Sequence, residues 1–249
     1  MNFIGVDLTP LTLGGYEPTG FCVLKKDGKG LPVMAECLTV PEADTKASRL
    51  LAEAYSPRSL EGRVAMMGGL VAQVDQELVD LIVEFMPGIV GITAALSLPT
   101  GRAGHGARLA DHLIDGDPLL KGVRGHLRTA TSAPARAFRG LAVRELLDRE
   151  GLVYGEDVIE VFPHGTLAYL GLPAEVKEGP LTRQDLSDRL LKLLKIPRSS
   201  RLPENGNEYA ALIAAFTGYL RYIGVTEEVG DRDEGTITLP RRTSHAGSH

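Results

Sequence analysis

The first apolar run of the chain ends in an acidic residue and leads into a loop. Apolar side chains occupy positions 3, 4, 6 and 8, and Ile4 and Val6 are β-branched, which predicts a strand buried on both faces of an α/β sheet. Asp7 then lies at the carboxyl end of this strand, where open α/β sheets bind their ligands. Position alone leaves two interpretations open, because Asp7 can also cap the following turn.

Two more strands and a helical crossover are predicted next. Residues 20–24 and 32–40 flank a glycine-containing turn and predict a β-hairpin. Helices are predicted over 45–55 and over 71–85, the second from apolar residues close to a 3.6-residue period. The apolar run 89–96 follows as a buried strand, and its helical crossover predicts that it runs parallel to the first.

The second half of the chain mixes helices with two further strands. A glycine-rich loop at 101–106 leads into a short helix at 107–114. From 115 to 134 the apolar residues show no regular spacing. Helices are predicted over 138–147, 182–194 and 208–223, and strands over 157–163 and 236–239. The order predicts a single domain over 1–240, with an irregular insertion near 101–134 and a frayed tail over 241–249.

The composition is that of a globular protein without an overall charge preference for nucleic acid. Hydrophobic residues make up 43% and charged residues 24%, and the net charge is −5. Cys22 and Cys37 lack the spacing of a zinc site or a disulfide framework. No apolar run reaches the ~18 residues of a membrane span and no leader is recognisable, so we expect a cytoplasmic protein without membrane contact. The sequence does not predict the oligomeric state.

Two buried strands end in an acid, Asp7 and Glu160. Parallel strands bring both acids to one sheet edge, where converging carboxylates raise each other's pKa unless a divalent cation neutralises them. This predicts an oxygen-ligated Mg²⁺ or Mn²⁺ site at Asp7 and Glu160, of the kind that catalyses phosphoryl transfer. The alternative for Glu160 is a structural salt bridge or backbone contact.

Glu208 opens the last long helix and is the third candidate catalytic acid. Its position on the edge of the apolar face allows it to reach the sheet edge as a further metal ligand. Asn205 lies three residues earlier, however, and Asn-x-x-Glu is also a capping-box pattern in which Glu208 only folds back onto the backbone. Both interpretations stay open.

Positive charge is concentrated between residues 102 and 144, which carry eight basic and three acidic residues. Arg102, Arg108 and Arg139 are the predicted phosphate ligands, and nucleic acid is the predicted partner of this basic segment. The glycine-rich loop can also bind anions through its backbone N–H groups. The alternative is that the arginines pair with acids elsewhere in the chain. His164 follows the strand end of Glu160 and either contacts the site or is an ordinary loop histidine.

Successive sequence blocks resemble, in order, those of one bacterial and archaeal family. The blocks are 4–7, 90–102, 139–141, 158–163 and the helix from Glu208, through the closing 235–240. They resemble domain-of-unknown-function family 429, described as predicted ribonuclease-H-like nucleases. The resemblance implies a ribonuclease-H-like α/β fold, with flanking helices and a mixed five-stranded sheet of three antiparallel and then two parallel strands. It also implies that Asp7 and Glu160 are metal ligands.

The chain departs from this family at two acidic positions. The family's middle strand usually reads Gly-Ile-Asp-Ala-Pro-Leu where this chain has Thr93 and Ala95, and Ala210 stands where the last helix usually offers an aspartate. Glu208 can substitute for the second acid, whereas the Thr93 hydroxyl is a weaker ligand for a cation. Three functions follow as hypotheses: a metal-dependent nuclease, a non-catalytic module that binds nucleic acid, nucleotide or protein, and an actin-like phosphotransferase. The last needs two such domains, and the chain has length for one.

Overall fold

The computed structural model describes residues 1–12, 15–16, 18–28, 30–42, 45–54, 60–100, 107–173, 182, 190, 193–198 and 200–242. The strands are β1 (Asn2–Asp7), β2 (Leu11–Thr12), β3 (Gly15–Tyr16), β4 (Thr19–Lys26), β5 (Pro32–Val40), β6 (Pro87–Ile92), β7 (Val158–Val161), β8 (Thr226–Asp231) and β9 (Gly235–Pro240). The helices are α1 (Lys46–Ala54), α2 (Leu60–Glu84), α3 (Leu109–Gly116), α4 (Pro134–Arg149), α5 (Pro163–Tyr169) and α6 (Gly206–Tyr222).

One mixed sheet with the strand order β5-β4-β1-β6-β7-β9-β8 organises the described chain. β1 pairs antiparallel with β4, and β4 antiparallel with β5. β6 and β7 run parallel to β1. This confirms the predicted α/β fold, with three antiparallel strands followed by two parallel ones in the ribonuclease-H-like arrangement.

The sheet has seven strands instead of the predicted five. β9 adds in parallel beside β7, and β8 pairs antiparallel with β9 to form an edge hairpin. The sequence indicates a strand at 236–239 but none at β8, because Thr-Glu-Glu-Val-Gly-Asp shows no alternation of apolar and polar residues. Pairing with β9 makes this acidic stretch a strand, so the tertiary context overrides its low strand propensity.

The core lies on both faces of the sheet, as the two-sided burial of β1 predicts. Phe3 faces α6 in one apolar cluster, together with Leu212 and Phe216. Ile4 and Val6 point to the other face, in a cluster that includes side chains of α2 and α4. Alternate residues of β1 therefore anchor the two helical layers, which fixes where the strand and its terminal Asp7 lie.

Three neighbouring strands each present a glycine to α6. A Cβ added at Gly5 of β1 would lie 1.8 Å from the carbonyl oxygen of Ala211, and one at Gly91 of β6 would lie 2.6 Å from that of Ala214. A Cβ on Gly20 of β4 would lie 2.1 Å from the carbonyl oxygen of Asn207. The helix backbone therefore rests directly on the sheet, because only glycine permits such a close approach.

The predicted helices are found where the structure describes them, with different bounds. α2 begins at Leu60, eleven residues before the predicted start, and α3 and α4 cover the helices expected near 107–114 and 138–147. The insertion also contains two short 3₁₀ turns, Pro118–Leu120 and Arg124–His126. The glycine-rich loop, most of the helix predicted over 182–194 and the tail from 243 onward lie outside the described residues. None of the helices described here is both long enough and apolar enough to cross a membrane.

Candidate functional site

The carboxyl ends of β1, β6 and β7 meet at one edge of the sheet, as the sequence predicts. Val6 is in register with Ile92, and Ile92 with Glu160. The backbone N–H of Thr93, the residue after β6, donates to the carbonyl oxygen of Val6 at 3.0 Å. Asp7, Thr93 and Glu160 are thus brought to the same edge, and all three line one cavity there.

Asp7 is buried and has both a hydroxyl and a guanidinium as partners. The Thr93 hydroxyl donates to Asp7 Oδ1, and Nη2 of Arg136, from the first turn of α4, donates to the same oxygen. Arg136 Nη2 also donates to Thr93 Oγ1 at 2.6 Å. Thr93, where the resembled family has an acid, therefore serves as a hydrogen-bond partner, and the charge of Asp7 is balanced by Arg136.

Glu160 is bound in a bidentate ion pair by Arg108, the residue before α3. Nη1 and Nη2 of Arg108 donate to Glu160 Oε2 and Oε1, both at 2.7 Å. The same guanidinium donates to Asp111 at 2.8 and 3.2 Å, and the Leu96 backbone N–H donates to Glu160 Oε2 at 2.9 Å. Arg108 has no solvent-exposed surface, so one buried cation bridges two carboxylates.

Burial and the charges of this cluster together explain its pKa shifts. Burial raises the pKa of the Glu160 carboxyl, and the charge and hydrogen bonds of Arg108 oppose that rise. Burial acts to lower the pKa of Arg108, but Glu160 and Asp111 outweigh it and raise the pKa above its usual value. The guanidinium therefore stays charged, and the cluster contains its own cation.

The edge hairpin holds the segment that carries Arg108. The carboxylate of Glu234, in the turn between β8 and β9, accepts hydrogen bonds from the backbone N–H groups of Thr100 at 3.1 Å and of Leu109 at 3.0 Å. The Ser97 hydroxyl donates to the carbonyl oxygen of Glu234 at 2.6 Å. The edge hairpin, of which the sequence predicts only β9, thus helps to position the arginine that neutralises Glu160.

These residues do not fit a divalent-metal centre. Asp7 and Glu160 each have an arginine partner, and Thr93 and Ala210 line the edge with a hydroxyl and a methyl group instead of carboxylates. Within the part of the chain that the structure describes, no group of three His, Cys, Asp or Glu side chains is arranged to hold a metal ion. The arginines occupy the positions in which Mg²⁺ or Mn²⁺ would balance the acids, so the donor set fits an anion better than a cation.

Glu208 is not brought to the Asp7 edge. Its carboxylate accepts from Arg201 Nη2 at 2.9 Å and from the backbone N–H of Glu204 at 2.8 Å, and its own N–H donates to the Asn205 side chain at 2.9 Å. Cys37 lies 4.0 Å away on β5. Glu208 is therefore part of the N-terminal cap of α6, the alternative that the Asn-x-x-Glu pattern left open.

The predicted phosphate ligands are also used inside the protein, as far as the structure describes them. Arg139 is buried and donates to Asp75 at 2.7 Å, to the Thr9 carbonyl at 2.6 Å and to the Thr19 hydroxyl at 2.8 Å. Arg108 binds Glu160 as described above, and Arg102 lies outside the described residues. Much of the basic segment thus pairs with acids elsewhere in the chain, which is the alternative interpretation of its charge.

A cavity of about 490 Å³, here called the strand-end crevice, opens beside Asp7 and Glu160. Its wall combines the carboxyl ends of β1 and β7, the start of α6 and the end of the second 3₁₀ turn. Two arginines, two histidines and a phenylalanine line it beside the two acids, together with apolar, small and amide side chains. The lining residues are Asp7, Thr93, His126, Leu127, Arg128, Arg136, Glu160, Val161, Phe162, Pro163, His164, Gly206, Asn207 and Ala210.

Comparison with protein-family models gives no match, and neither does comparison with curated proteins. Solved structures that match include RuvC from Thermus thermophilus, at 13% identity with a TM-score of 0.43. Another is T. thermophilus RuvC in complex with a Holliday junction substrate, at 12% identity with a TM-score of 0.44. Each match covers 90% of this chain and 97% of the RuvC chain. Likeness at these scores carries no functional argument, so the fold assignment rests on the strand order, and the resemblance to family 429 stays a prediction.

Three rings form a column along one wall of the crevice. Phe162, at the end of β7, lies 6.0 Å from the ring of His164, and His164 stacks on His126 at 4.2 Å with an angle of 6° between the ring planes. His164 therefore contacts the site, which was one of its two interpretations. The sequence does not reveal His126 as its partner, because 38 positions separate the two histidines.

The surroundings of His164 keep its imidazole neutral. Burial, the largest cause, and the electrostatic influence of His126, Arg128 and Arg136 together lower its pKa to about 4. A neutral ring stacks on its neighbour without charge repulsion. Protonation of His164 would place a further positive charge in a group of like charges.

We expect the free energy of unfolding to fall as the pH is lowered from about 6.5 to about 4. His164 binds its proton near pH 6.5 in the unfolded chain but only near pH 4 in the folded protein, so acid favours the unfolded chain across this interval. The expected loss is about 2–3 kcal/mol, measured by urea denaturation at a series of pH values. His164→Gln should remove this part of the pH dependence. Parallel curves for the two proteins would contradict the assignment to His164.

Proposed function

We propose that this protein is a non-catalytic ribonuclease-H-like module that binds the phosphate groups of nucleic acid in its strand-end crevice. One observation carries the proposal. Each acid at the strand ends is already paired with an arginine, Asp7 with Arg136 and Glu160 with Arg108. An edge whose acids are neutralised from within no longer attracts a metal cation, and the charge left open to the crevice is positive.

The groups open to the crevice suit an anion. Arg128 is exposed, lines the crevice and has no ion-pair partner among the described residues. Gly206 and Asn207, in the first turn of the 17-residue helix α6, line the same crevice, so the positive end of the helix dipole borders it. Arg136 also lines the crevice, with its charge already balanced by Asp7. A phosphate group fits between these charges better than a neutral ligand does.

The positive charge of the crevice is local, and the chain as a whole is acidic. This favours a polyanion that contacts the protein only at the crevice. The net charge of the chain is −5, so its general field does not attract nucleic acid. The basic segment 102–144 supplies both crevice arginines. We expect binding to depend steeply on salt, because phosphate contacts release counterions from the nucleic acid.

Labelled single-stranded, duplex, hybrid and branched oligonucleotides, with Mg²⁺ or Mn²⁺ present, test the proposal. We expect binding without cleavage. Arg128→Ala should weaken binding about tenfold, because a hydrogen bond to a charged group is lost, and should reduce the salt slope by about one. Lys121→Ala is the matched control, since Lys121 lies in the same basic segment, is exposed and does not line the crevice.

Cleavage in the same assay separates this proposal from a metal-dependent nuclease. Metal-dependent cleavage by the unmodified protein that is lost in Asp7→Asn would overturn the non-catalytic proposal in favour of the nuclease. Cleavage that survives Asp7→Asn would contradict both, because the metal mechanism requires that carboxylate. If the Arg128 and Lys121 variants bind nucleic acid with equal affinity, the crevice is excluded as the binding site.

A further inference from the structure

We infer that the strand-end crevice selects an unpaired nucleotide, with the base stacked on His126 and the phosphate at Arg128. This inference rests on the proposed function and names the form of nucleic acid that the same crevice accepts. It starts from the ring column of Phe162, His164 and His126. The rings of Phe162 and His164 lie 6.0 Å apart with 34° between their planes, and the rings of His164 and His126 are stacked at 4.2 Å.

The inner end of the column is fixed in the core. Phe162 is buried in the cluster that also contains Ile237 and Leu239 of β9. Gly165, one turn along α5, packs against the Phe162 ring so closely that an added Cβ would lie 2.5 Å from its Cδ1 atom. The Phe162 ring is therefore closely packed in the core, and the His164 ring lies beside it.

The outer end of the column is open. One face of the His126 ring is covered by His164, with the two planes nearly parallel, whereas His126 itself is exposed. The opposite face is therefore the one that a planar ligand can reach. Exposed aromatic rings of this kind serve as stacking platforms in proteins that bind single-stranded nucleic acid. Every base has a flat face that can stack on such a ring.

The neighbouring charge fits the rest of a nucleotide. Arg128 follows His126 by two residues and lines the same crevice, so a phosphate attached to a base on His126 lies next to a guanidinium. The cavity volume of about 490 Å³ is within the range of small-ligand sites. A base inside a duplex has both faces covered by its neighbours, so only an unpaired base can use this platform.

Two oligomers of equal charge test this inference with the full-length protein. One is a short oligothymidylate, and the other is an abasic oligomer of the same length and phosphate count. We expect the unmodified protein to bind the oligothymidylate about tenfold more tightly. His126→Ala should abolish this preference, so that the two oligomers bind with equal affinity.

His126→Phe separates stacking from charge. Phenylalanine keeps a planar ring but cannot carry a proton, so the preference for oligothymidylate should persist if the ring acts by stacking. Loss of the preference in this variant, or equal affinity of the unmodified protein for the two oligomers, would overturn the inference while leaving phosphate binding in place. Binding of neither oligomer by the unmodified protein would overturn the proposed function as well.

Discussion

Arg108→Met is expected to lower the free energy of unfolding by about 3–5 kcal/mol, because it leaves the carboxylates of Glu160 and Asp111 buried without their cation. Methionine retains much of the side-chain volume, so the loss is one of charge and hydrogen bonds more than of packing. Urea denaturation, followed by circular dichroism, measures the change. The stability of Arg108→Lys should lie between those of the unmodified protein and Arg108→Met. Lysine keeps the positive charge, but an ammonium group cannot bind two carboxylates in bidentate fashion.

A second substitution tests whether the unpaired charge is the cause. Glu160→Gln in the Arg108→Met background removes one of the two uncompensated carboxylates and should recover part of the lost stability. Arg149→Met provides a surface control, because Arg149 pairs with Glu145 in solvent on α4, and should cost at most about 1 kcal/mol. An Arg108 variant as stable as this control would show that the buried pair makes no net contribution.

Gly5→Ala is expected to lower the free energy of unfolding by about 3 kcal/mol or more. The added methyl group would lie 1.8 Å from the carbonyl oxygen of Ala211 and 2.4 Å from the backbone nitrogen of Ala215, and neither atom belongs to a flexible side chain. The helix α6 must therefore move off the sheet to accommodate it. Thermal unfolding measures the loss of stability.

Gly116→Ala is the matched control for this substitution. Nothing lies within 4 Å of a Cβ added at Gly116, the last residue of α3, so the same change of one methyl group should have little effect. If Gly5→Ala folds with unchanged stability, the close contact between β1 and α6 is not a requirement of the fold.

Much of the fold follows from local sequence patterns. The order of strands and helices is readable from apolar runs, periodicity and glycine-containing turns, and the crossover of α2 makes β6 parallel to β1. The convergence of Asp7 and Glu160 then follows, because carboxyl ends of parallel strands share one edge. The edge strand β8 is not predictable in this way, because its acidic sequence becomes a strand only through pairing with β9.

The partners of the acids do not follow from local patterns. Arg136 is 129 positions from Asp7, and Arg108 is 52 positions from Glu160. A single sequence shows an excess of arginines but not which acid each one contacts. The same arginines are therefore also compatible with a role as unpaired side chains that bind phosphate. Glu208 illustrates the opposite case. Its local pattern allows a helix cap or a metal ligand and does not decide between them; in the structure the Asn205 side chain caps the Glu208 N–H, and the Glu208 carboxylate accepts from the Glu204 N–H.

The pairing of Asp7 with Arg136 and of Glu160 with Arg108 changes what determines the charge of the crevice. A site that relies on a bound metal has an electrostatic character that varies with the supply of that metal in its surroundings. Guanidinium groups remain protonated throughout the physiological pH range and cannot dissociate from the chain. The positive charge that balances these acids is therefore part of the polypeptide itself. It does not depend on a bound ion, and it is present in every folded molecule.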